Sequence, residues 1–302
     1  MRIAVIGLGS IAQKAYLPTL AARPGVDLHL MTRSRERLDA VADTYRVPHD
    51  RRFTGVEQLL VAGLDAAFVH VPTEAHRTVV ERLLTAGVPV YVDKPLDSTL
   101  VGARYLVEQA QRANVLLRVG FNRRFAPAYQ QARELPRDLI NVRKNQNDGA
   151  GPVREIVFDD FIHVVDTLRF LLPGRVERTF VSGRIVDGEL HHVCLTLSGP
   201  GFSAVGSMHR LSGAKQERLE VAGDRATLEV LDLDQVFVHQ AGMRTLRPAD
   251  GWSPVARRRG FEQACTAFLD AVRAGEPDAA GLADALRTHE LCENVVNELS
   301  PS

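Results

Sequence analysis

From residue 3 to residue 119, short apolar runs alternate with stretches of helical period. Residues 3–6, 28–31, 66–71, 89–92 and 116–119 read as strands. Residues 12–22, 36–45, 75–86 and 99–114 read as helices between them, with Ser34 as an N-cap and Gly87 as a stop. Strands and helices in this rhythm predict a parallel sheet covered on both faces. After Phe121 the pattern changes. Residues 137–151 are polar with little apolar periodicity and are expected to be a loop. Residues 158–172 have a helical period. Six short strands follow at 180–186, 191–197, 204–208, 218–222, 227–231 and 236–239, and helices return at 261–274 and 281–297. Turns such as Asp187-Gly188 and Ala222-Gly223-Asp224 separate the strands. The expected fold class is α/β: a doubly wound parallel sheet over residues 1–120, then an α+β domain over residues 121–302.

The first strand runs into Gly7-Leu8-Gly9-Ser10-Ile11-Ala12, which opens a helix. This is the G-x-G-x-x-A turn that cradles a dinucleotide pyrophosphate. Gly7 permits the tight turn, Gly9 lets backbone approach the phosphates, and Ala12 packs closely on the strand. The helix start, with Ser10 and Ile11, presents N–H groups and a positive dipole end. An NAD site usually carries an acid about 20 residues later, at the end of the second strand. Here Thr32, Arg33 and Ser34 stand there, with Arg37 one turn on. They can neutralise a ribose 2′-phosphate, so NADP is expected over NAD, with NAD still possible.

Composition narrows the class. The 302 residues are 45% apolar and 25% charged, ample for two soluble domains. Thirty-seven basic residues balance thirty-seven acidic ones. No global field attracts nucleic acid. No apolar run reaches the roughly 18 residues of a membrane span, and the N-terminus lacks a signal-peptide pattern. Cys194, Cys265 and Cys292 are widely spaced, form no metal pattern and suit free thiols in a reducing cytoplasm. His191, His192 and His209 read as strand residues, Arg257, Arg258 and Arg259 as a solvated run, and Trp252 as packed between elements.

Two further groups carry chemistry. Asp93-Lys94-Pro95 follows a strand at its C-terminal end, where open α/β sheets bind ligands. Asp159 and His163 lie four apart on one predicted helix face, with Asp166 near the same stripe. Together with Pro72-Thr73-x-x-His76 and Gly120-Phe121-Asn122-Arg123-Arg124-Phe125, these motifs occur in the order seen in the Gfo/Idh/MocA oxidoreductases. The chain resembles that family over its whole length, and the MviM-type oxidoreductases most.

The resemblance implies a Rossmann domain followed by a domain with an open, mostly antiparallel sheet that often pairs two subunits. It implies Lys94, Asp159 and His163 as catalytic residues. It places Pro72, Thr73, His76, Asp93 and Lys94 beside the cofactor, and Arg124 near the substrate cleft. His163 and Asp160 are further substrate candidates. The usual Glu-Lys-Pro is Asp-Lys-Pro here, and Phe161 stands where the family often has glycine, two residues before the histidine. The expected chemistry is hydride transfer between the nicotinamide and a secondary alcohol or ketone of a sugar, cyclitol or related polyol. His163 would move the hydroxyl proton, Lys94 would stabilise the alkoxide, and Asp159 would hold one of them. The alternatives are a dinucleotide-binding sensor on the same fold, or hydrolytic or eliminating chemistry that uses bound NAD transiently. No metal, nucleic acid or membrane partner is expected, and a homodimer through the C-terminal sheet is.

Overall fold

The computed structural model describes residues 1–247, 251–275 and 277–300. It divides into two units: Met1–Gly120 with Phe261–Leu286, and Phe121–Gly260 with the chain from Arg287 onward.

The first unit is built on six parallel strands: β1 (Arg2–Ile6), β2 (Asp27–Met31), β3 (Arg52–Phe53), β4 (Ala66–Val69), β5 (Val90–Val92) and β6 (Leu117–Val119). Their order is β3-β2-β1-β4-β5-β6. The helices between them are α1 (Leu17–Ala21), α2 (Arg35–Thr44), α3 (Val56–Val61), α4 (Thr73–Thr85) and α5 (Leu100–Ala113). Every residue of β4 and of β5 is fully buried, as are Ile3, Ala4, Val5 and Ile6 of β1. Strands covered on both faces show unbroken apolar runs, which is why they are readable from the sequence. Ser34 caps α2 by accepting from the Arg37 N–H at 3.2 Å, and Thr99 caps α5 through the Gly102 N–H at 3.0 Å. The strand order reverses between β1 and β4, so a crevice opens at their C-terminal ends.

The second unit begins with α6 (Pro127–Glu134) and β7 (Leu139–Asn145). Then come β8 (Gly151–Pro152), α7 (Val153–Ile156) and α8 (Ile162–Leu171). The strands β9 (Arg178–Val186), β10 (Glu189–Gly199), β11 (Phe202–His209), β12 (Gln216–Gly223), β13 (Ala226–Leu231), β14 (Gln235–Gln240) and β15 (Met243–Arg247) follow, and then α9 (Val255–Arg258). The sheet order is β15-β14-β13-β12-β7-β11-β10-β8, with β9 also on β10. Its pairings are antiparallel apart from β11 with β7. This is a mixed, mostly antiparallel sheet.

Three expectations need correction. The polar stretch 137–151 is not a loop: β7 lies inside the sheet, between β12 and β11. Its burial alternates, with Ile140, Val142 and Lys144 inward. One inward position is a lysine, neutralised by Asp160 at 2.6 Å, so the period of two is masked in an apolar reading. The C-terminal helices α10 (Phe261–Ala274) and α11 (Ala279–Leu299) are present, but α10 belongs to the first unit, not the second. Phe261 and Phe268 complete an aromatic cluster with Tyr16, Phe68 and Tyr91, with ring centroids 5.2–5.6 Å apart. Trp252, expected to pack between elements, is 96% exposed. No helix among the described residues is long and apolar enough to cross a membrane.

Candidate active site

At the end of β1, Gly7 has φ +90°, and a Cβ there would lie 2.6 Å from the His70 carbonyl carbon and the Val71 nitrogen. Only glycine fits this turn against the end of β4. Ala12 is fully buried beneath it. A Cβ on Gly9 would meet nothing within 4 Å, because Gly9 faces a groove of about 400 Å³. Ser10, Lys14 and Arg37 line the same groove. A helix start, a side-chain-free backbone and two cations make a cradle for phosphate. Past β2, Arg33 and Ser34 are exposed and Thr32 is half-buried, with no carboxylate among them. The residues fit a nicotinamide dinucleotide.

Along the same edge, β4 leads to Pro72, which caps α4, and Thr73, its first residue. His76, expected beside the cofactor, is 1% exposed, with both ring nitrogens turned to backbone carbonyls. Its Nδ1 lies 2.9 Å from the Pro95 carbonyl oxygen and its Nε2 lies 3.0 Å from that of Val71. It therefore braces the loop after β4 against the loop after β5. Burial depresses the His76 pKa, and the facing carbonyls and Asp93 oppose this only in part. The folded chain thus takes up this proton at lower pH than the unfolded chain. Its contribution is intact above the unfolded value of about 6.5 and is lost as pH falls below it. We expect the melting midpoint to drop on acidification from pH 7.5 to 5.5, and to drop less in His76→Gln. Thermal unfolding followed by circular dichroism checks this.

Asp93 is likewise held by protein. Its carboxylate accepts from His70 Nδ1 at 2.8 Å, and the His70 ring lies against Tyr16, tilted by 31° with centroids 4.0 Å apart. Burial raises the Asp93 pKa, but the His70 charge and hydrogen bond outweigh it, and the carboxyl sits below its ordinary range. His70 was not anticipated from sequence, although a histidine directly after the apolar residues of β4 is its signal. Lys94 follows, half-buried, at the C-terminal end of β5, and its peptide bond to Pro95 is cis.

In the second unit, Val157–Phe161 forms a π turn between α7 and α8. The wider turn breaks the simple four-residue spacing assumed for Asp159 and His163. Asp159 is exposed and His163 half-buried, while Asp166 turns into the interior at 1% exposure. Asp166 is a structural anchor: Arg124 donates to it at 2.6, 2.9 and 3.0 Å, and the Thr288 hydroxyl at 3.0 Å. Arg124, expected near the substrate, is committed there. Asp160, another substrate candidate, is clamped by Lys144 and Arg210. These two side chains serve the fold.

Arg123 supplies the contact that sequence reasoning missed. It is buried, and its Nε and Nη2 fork the two oxygens of Glu217 at 2.7 Å each. The Tyr129 hydroxyl donates to Glu217 at 3.0 Å. Arg123 Nη1 points at His163 Nδ1, 2.7 Å away. No group of three metal-ligating side chains occurs among the described residues.

Comparison with known proteins gives these sites a context. Residues 1–121 match the oxidoreductase family with NAD-binding Rossmann fold, and residues 127–241 match the YceM-like C-terminal domain. The chain is 34% identical to the Salmonella typhimurium protein named YceM, over 93% of this chain and 92% of that one. It is 26% identical to a Thermotoga maritima myo-inositol 2-dehydrogenase, over 92% of this chain and 90% of that one. The solved MviM dehydrogenase of Clostridium difficile superposes with a TM-score of 0.93 at 31% identity, covering 99% of both chains. The chain therefore belongs to the Gfo/Idh/MocA family of NAD-binding oxidoreductases.

Proposed function

We propose that this protein is an NADP-preferring dehydrogenase or reductase acting on a secondary alcohol or ketone of a sugar, cyclitol or related polyol. The observation that carries this reading lies on one edge of the parallel sheet. The glycine turn ends β1 and Lys94 ends β5, with β4 alone between those strands. Two strand spacings are roughly 10 Å. A dinucleotide anchored by its pyrophosphate at Gly9 would lie along that edge, and we assign Lys94 to its reactive end. A nicotinamide bound there supplies or accepts the hydride. Lys94 would stabilise negative charge on the substrate oxygen, and the family resemblance supports Asp159 and His163 of the second unit as the other catalytic residues. The myo-inositol dehydrogenase among the relatives supports the polyol class.

Arg37 in the phosphate groove, with Arg33 beside it, supports NADP. We expect NADP to bind at least tenfold tighter than NAD, about 1.4 kcal/mol. Arg37→Glu should reverse the order, since a carboxylate repels a 2′-phosphate and accepts from ribose hydroxyls. Calorimetric titration with both cofactors tests this. Equal affinities in the natural protein reject the cofactor reading. Screening polyols and their ketones for cofactor oxidation and reduction tests the substrate class.

A further inference from the structure

The strict donor chemistry of arginine fixes the state of His163. A guanidinium carries only N–H donors and no acceptor, and it stays charged in proteins. Across the 2.7 Å contact, Arg123 Nη1 must therefore donate and His163 Nδ1 must accept. Nδ1 then keeps its lone pair, and the neutral ring carries its proton on Nε2. A second positive charge on the imidazole would stand directly against the guanidinium. Arg123 has no freedom to turn aside, because Glu217 holds its Nε and Nη2 in a buried fork and Tyr129 holds Glu217.

We propose that Arg123 is a positioning residue that locks His163 as the Nε2–H tautomer, so that His163 works as a fixed hydrogen-bond donor and not as the general base. This deepens the function proposed above and rests on His163 meeting the substrate oxygen. A base at Nε2 would need its proton on Nδ1, where it would point into the guanidinium. A neutral imidazole donating from a set nitrogen can still polarise a carbonyl and hold the alkoxide. In that role His163 Nε2–H would donate to the substrate oxygen and end the reaction with the proton it began with.

The test reads the tautomer directly and needs no substrate. Protein labelled with ¹⁵N-histidine is recorded in long-range ¹H–¹⁵N correlation spectra at pH 7.5, with His163 assigned from a His163→Gln variant. We expect a single neutral form protonated at Nε2 only. A neutral form protonated at Nδ1, or a charged ring, overturns the proposal. The double variant Arg123→Met, Glu217→Gln removes the guanidinium without leaving a buried charge, and it leaves Tyr129 an acceptor. There His163 should move to a mixture of tautomers. If it stays wholly on Nε2, Arg123 is not what sets it. A protein with the expected tautomer and no turnover on any polyol keeps this assignment and refutes the substrate reading alone.

Discussion

Lys94→Ala is expected to lower kcat by a factor of 10²–10³, about 2.7–4 kcal/mol of transition-state stabilisation, by analogy with the loss of one preorganised donor to a developing oxyanion. The side chain stands half-buried at the C-terminal end of β5, beyond the fully buried Val90, Tyr91 and Val92. Removing it leaves the apolar packing of those three residues in place. Cofactor affinity should also hold, because the phosphate cradle lies at Gly9, Lys14 and Arg37. The loss then falls on kcat and kcat/KM together, the pattern of an interaction made in the transition state. Lys94→Arg should recover little, since a broad planar guanidinium does not reproduce the compact point charge of an ammonium. Steady-state kinetics beside calorimetry of cofactor binding checks this. Near-normal turnover in Lys94→Ala would sink the assignment.

The first unit was the more legible from sequence, and the reason is physical. Its strands are buried on both faces, so residues such as Ile3, Val5, Phe68 and Val92 form apolar runs bounded by turns. The glycine turn and the lysine after β5 are local in sequence, and their chemistry needs no partner from elsewhere in the chain. The second unit hid more. β7 alternates correctly but spends one inward position on Lys144, whose charge is met by Asp160, 16 residues away. The π turn at Val157–Phe161 has no compositional mark and shifts the phase between Asp159 and His163. α10 carries a clear helical period, yet nothing local says that its phenylalanines complete the cluster around Tyr16 and Phe68. The fork from Arg123 to Glu217 joins residues 94 apart, and the contact to His163 joins residues 40 apart. Arg123 and Arg124 look alike as neighbours, but one sets a candidate catalytic ring and the other anchors Asp166.

That fork also predicts a large effect on stability. Glu217→Ala should destabilise the protein by about 3–5 kcal/mol, because the Arg123 guanidinium would be left buried without its counter-charge. The natural pair sits in the interior with both side chains almost fully covered, and the Tyr129 hydroxyl would lose its acceptor as well. For a unit of this size that is a fall of roughly 10 °C or more in melting midpoint. The sign of the pH dependence follows from Glu217. Burial alone would raise its pKa, but the Arg123 charge and hydrogen bonds, with that of Tyr129, bring it below the ordinary carboxyl range. A depressed acid contributes stability that is whole above its unfolded value, about 4.3, and is lost as pH falls through the lower folded value. The gap between natural protein and variant should therefore be widest near neutrality and shrink in acid. Glu217→Gln should also destabilise, and adding Arg123→Met to it should recover much of that loss, since a neutral, apolar replacement of a buried pair is often tolerated. Denaturant titrations of Arg123→Met, Glu217→Gln and their double variant give the coupling energy. A coupling near zero would mean the fork does not hold Arg123, and the rigidity assigned to the His163 contact would lose its support.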